Sequence, residues 1–322
     1  MNKKRQSFFW TAVIIACFVA ITAMQGSSTA ATAAKTLPSP VALATGQEIQ
    51  LDVPYVPTRF PVVEEMLRLA AVTKADVVYD LGCGDGRIVI AAAQRFGCRG
   101  VGFDIDPERI RECHDNAKKA GVTERVKFIE GDLFQADFRE ATVLPMYLLT
   151  TVNLKLRPKI LRELQPGSRV VSHNFAMDNW KADAHTELKI EDVTHDVYLW
   201  IVPANVSGRW TWSAAPGGGA SALEFKLEAT QKFQFPEAAV TLNGVDAAVR
   251  NLKLSGDKIS FLVEAPLQGR TIVLSFEGKA FNNDISGTIQ GRIDGRDVAL
   301  PWKASRNPAT IKPIDDEPAW WN

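Results

Sequence analysis

The chain has 322 residues, of which 46% are hydrophobic and 23% are charged. This length and composition provide enough apolar side chains for two folded domains and exclude an intrinsically disordered protein. Lys plus Arg and Asp plus Glu balance at 37 each, so the overall charge does not indicate a nucleic-acid-binding protein or a polybasic membrane-surface protein.

Residues 1–34 have the layout of an export signal. Lys3, Lys4 and Arg5 precede an apolar run over 8–24, and small residues with A-x-A-like cleavage sites follow it. An uncleaved membrane anchor is the alternative, because about 17 apolar residues are at the lower limit for spanning a bilayer. Both interpretations place the rest of the protein on the far side of the membrane, either exported or anchored through 8–24.

The remaining chain divides by its sequence pattern. Residues 35–50 contain prolines among small residues, which is typical of a linker. We predict an α/β domain over 51–204, in which short apolar runs alternate with amphipathic helical segments. Alternating strands then predict an all-β domain over 205–306, and a proline-rich acidic tail occupies 307–322.

The α/β domain opens with the segment P-Y-V-P-T at 54–58. Its two prolines favour an extended backbone that leads into a helix over roughly 59–71. The simplest interpretation of Thr58 is a cap for that helix, and the simplest interpretation of Tyr55 is packing.

A glycine-rich turn follows the first predicted strand. The strand closes on Asp80, glycines stand at 82, 84 and 86, and a second apolar run begins at Ile88. Gly82, Gly84 and Gly86 therefore predict a tight turn between strand and helix that brings backbone close to a ligand.

The spacing and charge of this turn indicate which ligand it receives. A dinucleotide site has the pattern G-x-G-x-x-G, whereas this turn has G-x-G-x-G, and Asp80 and Asp85 would repel a phosphate. A cationic ligand such as S-adenosylmethionine (SAM), with its sulfonium and ammonium groups, is a better electrostatic complement. An ordinary strand-turn-helix junction without a ligand is the alternative.

Here the sequence resembles the class I SAM-dependent methyltransferases, whose first motif is an acidic residue followed by G-x-G-x-G. Together with the P-Y-V-P-T segment, it resembles the protein-lysine methyltransferases related to the mitochondrial ATP synthase c-subunit lysine methyltransferase. The resemblance covers roughly 52–203. It implies a Rossmann-like, mostly parallel seven-stranded sheet, SAM as co-substrate, a protein lysine as acceptor, and roles for Tyr55 and Thr58 in closing the SAM pocket.

Two further carboxylates follow predicted strands. Asp104 ends the run 99–103, about twenty residues beyond the glycine turn, where a nucleotide-binding unit places the carboxylate that binds ribose hydroxyls. Asp132 follows the run 125–129, and the resemblance implies that it binds the adenine amino group while Leu133 packs against the ring. Carboxylates at the ends of three successive strands support the SAM hypothesis.

The fourth predicted strand, 141–149, leads to the acceptor side of the expected site. The resemblance makes Tyr147 and Asn153 acceptor-side candidates, and Thr150 stands where relatives tend to carry a proline. Asn153 has a second interpretation as the cap of a helix over roughly 154–164. No other catalytic residue is predicted, and the role of His173 at the end of a fifth strand is left open.

The cysteines and histidines predict neither a disulfide framework nor a metal site. Three cysteines remain after the leader, at 83, 98 and 113, and the four histidines are scattered without metal-ligand spacing.

The all-β domain is predicted to be a sandwich or a small barrel. Short alternating strands are separated by turns such as Asn243-Gly244 and Asp294-Gly295. Trp210, Trp212 and Trp302 are expected in its core, with a ligand at a barrel mouth as the alternative. The tail is either a docking strand or disordered.

We therefore expect an exported or membrane-anchored SAM-dependent methyltransferase, with protein-lysine N-methylation implied by the resemblance. The alternatives are a methyltransferase acting on a small molecule or a lipid, and a non-catalytic module that retains the SAM fold. The expected partners are a protein substrate, a membrane reached through the N-terminal segment and a partner of the all-β domain, but no nucleic acid.

Overall fold

The computed structural model describes residues 55–216 and 221–315. The predicted export signal or anchor, the linker and residues 316–322 of the tail lie outside these ranges. The described residues belong to one compact unit. No helix among them has both the length and the apolar character needed to cross a bilayer.

In the first part of the described chain, strands and helices alternate. The helices are Phe60–Leu69 (α1), Arg87–Phe96 (α2), Pro107–Ala120 (α3) and Thr150–Glu163 (α4). The strands are Val77–Leu81 (β1), Arg99–Asp104 (β2), Val126–Glu130 (β3), Val143–Met146 (β4), Arg169–His173 (β5), Ala184–Ile190 (β6) and Val193–Ile201 (β7).

These strands form one sheet in the order β3-β2-β1-β4-β5-β7-β6. Strands β1 to β5 run parallel, and β7 pairs antiparallel with both β5 and β6. The prediction of a mostly parallel, seven-stranded α/β sheet is confirmed. The carboxyl ends of β1, β2, β3 and β4 meet at one edge, which is where such sheets bind ligands.

Helices cover both faces of the sheet. On one face, α1 and α2 pack their apolar stripes against the central strands, with Val62 and Met66 of α1 fully buried. On the other face, α4 packs through Leu156 and Ile160. All five residues of β1 are buried, because a parallel strand covered on both faces has no solvent-facing side.

The alternative interpretations of Thr58 and Asn153 as helix caps are wrong. Helix α1 has Arg59 at its N-cap and no side-chain cap bond, so Thr58 does not cap it. Helix α4 starts at Thr150, so Asn153 lies inside the helix with none of its surface exposed and does not cap it. Both side chains make tertiary contacts instead, because each points into the protein interior.

The second part of the described chain is a closed antiparallel barrel. Its strands are Gly208–Ala214 (β8), Leu223–Lys232 (β9), Phe235–Leu242 (β10), Val245–Ser255 (β11), Lys258–Leu267 (β12), Arg270–Phe281 (β13), Asp284–Ile293 (β14) and Arg296–Arg306 (β15). The barrel closes because β8 pairs with β9 on one side and β15 on the other. The structure thus decides between the predicted sandwich and barrel in favour of the barrel.

Aromatic rings fill the barrel. Trp212, Phe225, Phe261, Phe276 and Trp302 pack with ring centroids 4.8–5.8 Å apart. Successive residues of β9 alternate between buried and exposed, as expected for a barrel with a packed interior. The core role predicted for Trp210, Trp212 and Trp302 fits this interior, because all three are buried.

The barrel packs into the core of the α/β part. Phe233, at the turn between β9 and β10, is buried and stacks on Trp180 with ring centroids 5.8 Å apart. After β15 the chain returns to the α/β part, where Asp315 forms a buried ion pair with Arg157 of α4, Nε to Oδ2 2.8 Å. The described part of the tail, up to Asp315, is therefore docked.

Candidate active site

A cleft of about 970 Å³, including the part open to solvent, lies at the carboxyl edge of the sheet. Ten of the twelve residues singled out in the sequence line it: Tyr55, Thr58, Asp80, Gly82, Gly84, Asp85, Asp104, Asp132, Leu133 and Tyr147. Gly86 and Asn153 do not. The structure therefore brings together side chains from five separate segments of the chain.

The glycine turn follows β1 and is held by the end of β2. The amides of Gly82 and Cys83 both donate to the Phe103 carbonyl at 2.8 Å, and the Gly84 amide donates to Oδ2 of Asp104 at 2.8 Å. Gly84 has a φ of +56°, and a Cβ there would overlap the ring of Tyr55. Glycine is required at 84 because Tyr55 rests directly on its backbone.

Gly86 has a different structural role. It stands at the N-cap of α2 with a φ of +77°. A Cβ at this position would lie 2.9 Å from the Phe128 ring and 3.0 Å from Sγ of Cys113, which are both core groups. Gly86 thus allows close packing behind the turn, and its predicted contact with a ligand has no support in the cleft lining.

Asp80, at the end of β1, is a buried carboxyl group facing the cleft. Burial, and then the charges of Asp104 and Asp85, raise its pKa to about 8. None of the hydrogen bonds formed among the described residues reaches its carboxyl oxygens. A buried carboxyl without a partner is a fitting receptor for a cationic ligand group.

Asp104 and Asp132 stand at the ends of β2 and β3. Besides the Gly84 amide, Asp104 accepts the Asp106 amide at 3.0 Å through Oδ1, and burial raises its pKa. Each carboxylate oxygen has a further lone pair, so Asp104 retains acceptor capacity for ligand hydroxyls. Asp132 is exposed and accepts the Phe134 amide at 2.8 Å.

The entry segment at 55–58 is fastened to the turn by two arginines that the sequence analysis missed. Arg87 forms an ion pair with Asp85, Nη2 to Oδ2 2.7 Å, and donates to the Thr58 carbonyl at 2.9 Å. Arg109 lies over the Tyr55 ring, 4.7 Å from its centroid. Burial opposes ionisation of Asp85, but the hydrogen bond from Arg87 prevails and lowers its pKa. The D-x-R spacing was the available signal for this pair.

Aromatic rings pack against Tyr147, the cleft residue that was predicted to lie on the acceptor side. Tyr147 follows β4, and its ring lies 3.9 Å from that of His173 and 6.0 Å from that of Phe175, measured between centroids. Burial, and then the neighbouring imidazole of His195, lower the pKa of His173 to about 4, so it is neutral at pH 7. These three rings, of Tyr147, His173 and Phe175, therefore carry no charge, and we call them the acceptor wall after the predicted role of Tyr147.

Asn153 lies behind this wall. Its Nδ2 donates to the Phe175 carbonyl at 3.1 Å, and its Oδ1 is buried without a partner among the described residues. Asn153 therefore holds the segment that carries Phe175, and its predicted contact with the substrate has no support in the cleft lining.

One group of potential metal ligands appears outside the cleft lining. The ligand atoms of His185, Glu187 and Asp196 lie within 4.8 Å of one another on the antiparallel hairpin of β6 and β7, a grouping that sequence spacing did not reveal. The side chains of His185 and Asp196 are partly exposed and already pair with each other at 2.8 Å. This pairing explains the group without an ion.

Known proteins share the α/β part. The ANTKMT methyltransferase domain family matches residues 80–184. A "Protein-lysine N-methyltransferase" of Saccharolobus islandicus is 48% identical over 151 residues, 47% of this chain and 94% of the relative. The human ATP synthase c-subunit lysine N-methyltransferase is 31% identical over 140 residues, 44% of this chain and 59% of the relative.

A solved structure is also similar in sequence. An RNA methyltransferase from Salinibacter ruber, crystallised with S-adenosylhomocysteine, is 51% identical, with a TM-score of 0.44 and coverage of 47% of this chain and 96% of that chain.

The cleft has the chemistry that SAM requires. Asp80 offers an unpartnered carboxyl to a cationic group, Asp104 offers acceptors to ribose hydroxyls, and Gly84 gives a close backbone approach. SAM as co-substrate is thus confirmed, while the assignment of each side chain to a part of SAM stays a prediction. With a relative that matches over nearly its whole length and a family domain that spans the glycine turn and the acceptor wall, the chain belongs to the SAM-dependent methyltransferases of the ANTKMT family.

Proposed function

We propose that this methyltransferase acts on the ε-amino group of a lysine in a protein substrate. The archaeal relative that matches over 94% of its length carries the name protein-lysine N-methyltransferase, which supports this acceptor. The structural observation that carries the proposal is the uncharged acceptor wall, of which Tyr147 lines the cleft while His173 and Phe175 pack against Tyr147.

This wall suits the step that a lysine needs before transfer. Bound SAM would supply the methyl group from its sulfonium, and S-adenosylhomocysteine would be the leaving group. The amine attacks only in its neutral form, and an apolar wall without an anion disfavours the ammonium form and lowers its pKa. The chain's remaining contributions are to align the amine and to exclude water, for which no protein nucleophile is required.

A methylation assay with labelled SAM tests the acceptor. The substrates are a peptide array, matched peptides with Lys replaced by Arg, total RNA and a lipid extract. We expect label on lysine peptides and none on their Arg counterparts. Label confined to RNA, or to the lipid extract, would contradict the proposal. Calorimetry with SAM and S-adenosylhomocysteine, run separately, shows whether a negative assay reflects a missing substrate or an inactive site.

We further propose that the mature protein is exported or anchored through residues 8–24. The basic residues, apolar run and small residues at the N-terminus support this location. Cell fractionation of the tagged full chain, with mass spectrometry of its N-terminus, provides the test. A protein that keeps Met1 and fractionates with the cytosol would rule the proposal out. Because SAM is made in the cytosol, an exported enzyme also requires SAM in its own compartment.

A further inference from the structure

Behind the cleft, three buried side chains form a continuous row that we call the histidine column: His195, His173 and Thr58. Nδ1 of His195 lies 2.9 Å from Nε2 of His173. Nδ1 of His173 lies 3.4 Å from Oγ1 of Thr58. This hydrogen bond is long, as is common in a site without its ligand. The three residues come from β7, β5 and the segment before α1.

The free end of the column fixes the direction of its hydrogen bonds. Nε2 of His195 is buried and has no partner among the described residues. A buried N–H without an acceptor is costlier than a lone pair without a donor, so the ring proton of His195 belongs on Nδ1, where it donates to Nε2 of His173. His173 is neutral at pH 7 and must then carry its own proton on Nδ1, which faces Thr58.

The consequence falls on Thr58. Its oxygen accepts from His173, so its own O–H remains free to donate, and Thr58 lines the cleft near Tyr147. The column cannot deliver protons to solvent through His195, because Nε2 of that residue is buried. Its effect is therefore to orient a hydroxyl group.

Thr58 lines the same cleft as Asp80, whose buried carboxyl suits the cationic sulfonium and ammonium of the methionine part of SAM. The methionine carboxylate needs donors instead. Arg87 is engaged by Asp85 and by the Thr58 carbonyl, and Arg109 pairs with Glu112, so the Thr58 hydroxyl is a suitably placed donor.

We propose that the histidine column orients the Thr58 hydroxyl as a hydrogen-bond donor to the methionine carboxylate of SAM, which makes His173 and His195 positioning residues for SAM binding. This inference rests on the SAM-dependent function given above. It gives His195 a role and adds SAM positioning to the role of His173, whose neutral ring also packs against Tyr147.

The tautomers can be read directly in solution. The chain has four histidines, so long-range ¹H–¹⁵N spectra of the labelled full-length protein at pH 7 resolve each ring. We expect His173 and His195 to carry their protons on Nδ1. A proton on Nε2 of His173 would reverse the direction of the hydrogen bonds in the histidine column. That result would overturn the proposal, whatever the activity of the protein.

Calorimetry with two ligands tests the partner of Thr58. SAM and decarboxylated SAM both have the sulfonium and an ammonium, but the second lacks the carboxylate. We expect Thr58→Val and His173→Leu each to weaken SAM binding about tenfold and to leave decarboxylated SAM within about twofold of wild type. Equal losses for both ligands would indicate mere packing and sink the proposal.

Matched variants complete the design. His173→Asn places an amide donor near the former Nδ1 and is expected to restore most of the affinity for SAM. The double variant Thr58→Val/His173→Leu should lose no more than either single variant, because the two residues act as one unit. His185→Leu, outside the cleft lining, is the control that should bind both ligands normally. Failure of the wild-type protein to bind SAM at all would refute the SAM-dependent function rather than the column.

Discussion

Among single residues, Asp80 has the most direct influence on SAM binding. Its carboxyl is buried and has a pKa of about 8 in the ligand-free protein, so it is mostly protonated at neutral pH. The ammonium and sulfonium of SAM stabilise the ionised form, so that binding removes a proton from Asp80. Donor binding is therefore linked to pH.

We predict that SAM affinity rises with pH up to about 8, by up to tenfold per pH unit, and then levels off. Calorimetry in two buffers of different ionisation enthalpy should detect close to one proton released at pH 7. In Asp80→Asn this release should vanish. Binding of equal strength at pH 6 and pH 8 in the wild-type protein would disprove the linkage.

The raised pKa of Asp80 also makes the free energy of unfolding depend on pH. Because the pKa of Asp80 in the folded state is raised, its contribution to stability is complete below about pH 4 and is lost as pH rises through about 8. Urea unfolding of the ligand-free protein at several pH values should show this loss, and Asp80→Asn should remove it.

Gly84 offers a test of the packing of Tyr55. Gly84→Ala should cost about 1–2 kcal/mol from its positive φ and also displace the Tyr55 ring, so S-adenosylhomocysteine affinity should fall at least tenfold. Gly121→Ala is the matched control, since its φ is +68° and nothing lies within 4 Å of its added Cβ. Thermal unfolding should report similar losses for both variants, whereas calorimetry should report lost binding for Gly84→Ala alone.

At the scale of elements, helix α4 links the acceptor wall to the tail. It begins at Thr150, just after Tyr147, and its residue Arg157 is paired with Asp315 in a site where both side chains are less than a tenth exposed. Arg157 also donates to the Met177 carbonyl at 3.0 Å. The tail thus holds the helix that follows the acceptor wall.

Removing one member of this buried pair should therefore be costly. Asp315→Ala leaves an uncompensated guanidinium and should reduce the free energy of unfolding by about 3–5 kcal/mol. Asp297→Ala, which breaks the exposed pair with Arg292, should cost no more than about 1 kcal/mol. Urea unfolding compares the two. A loss for Asp315→Ala as small as that for Asp297→Ala would show that the tail does not hold α4.

The elements also show what local sequence can and cannot predict. Asp80, Asp104 and Asp132 were found because strand ends and motif spacing are local properties. The contact of Thr58 with His173 spans 115 residues, and the pair of Arg157 with Asp315 spans 158, so no local pattern reports them. Barrel closure could not be predicted either, because a sandwich and a barrel have the same alternation of apolar and polar residues and the same turns.

At the scale of the whole molecule, the barrel completes the core of the methyltransferase part. Phe233 lies among the buried residues that include Trp180, Trp200 and Leu156 of the α/β part. Gln234 adds a hydrogen bond from its Nε2 to the Lys181 carbonyl at 2.7 Å. The family resemblance ended near 203, so this dependence could not be read from the family's own motifs.

We predict that the two parts unfold together. Phe233→Ala should lower the free energy of unfolding by about 3–5 kcal/mol, and the full chain should show one transition by both far-UV circular dichroism and tryptophan fluorescence. Phe281→Ala, on an exposed barrel residue, is the control and should have little effect. Two separate transitions in the full chain would show that the barrel is an independent domain.

A chain truncated after residue 204 should not form a stable monomer that binds S-adenosylhomocysteine. It would expose Trp180, whose ring stacks on Phe233 and lies beside Trp200, and such large apolar surfaces promote aggregation. Size-exclusion chromatography and S-adenosylhomocysteine binding of the fragment provide the measurement. A monomeric fragment that binds with wild-type affinity would contradict the dependence on the barrel.

The pairing of Arg157 with Asp315 also determines when α4 can be anchored during synthesis of the chain. The two residues are 158 positions apart, and ribosomes add about 5–20 residues per second, so the partner of Arg157 is made about 8–30 s later. During that interval the emerging chain holds its glycine turn, its carboxylates and its acceptor wall, but α4 lacks its final anchor. We therefore expect α4 to gain this anchor only after the barrel has been made.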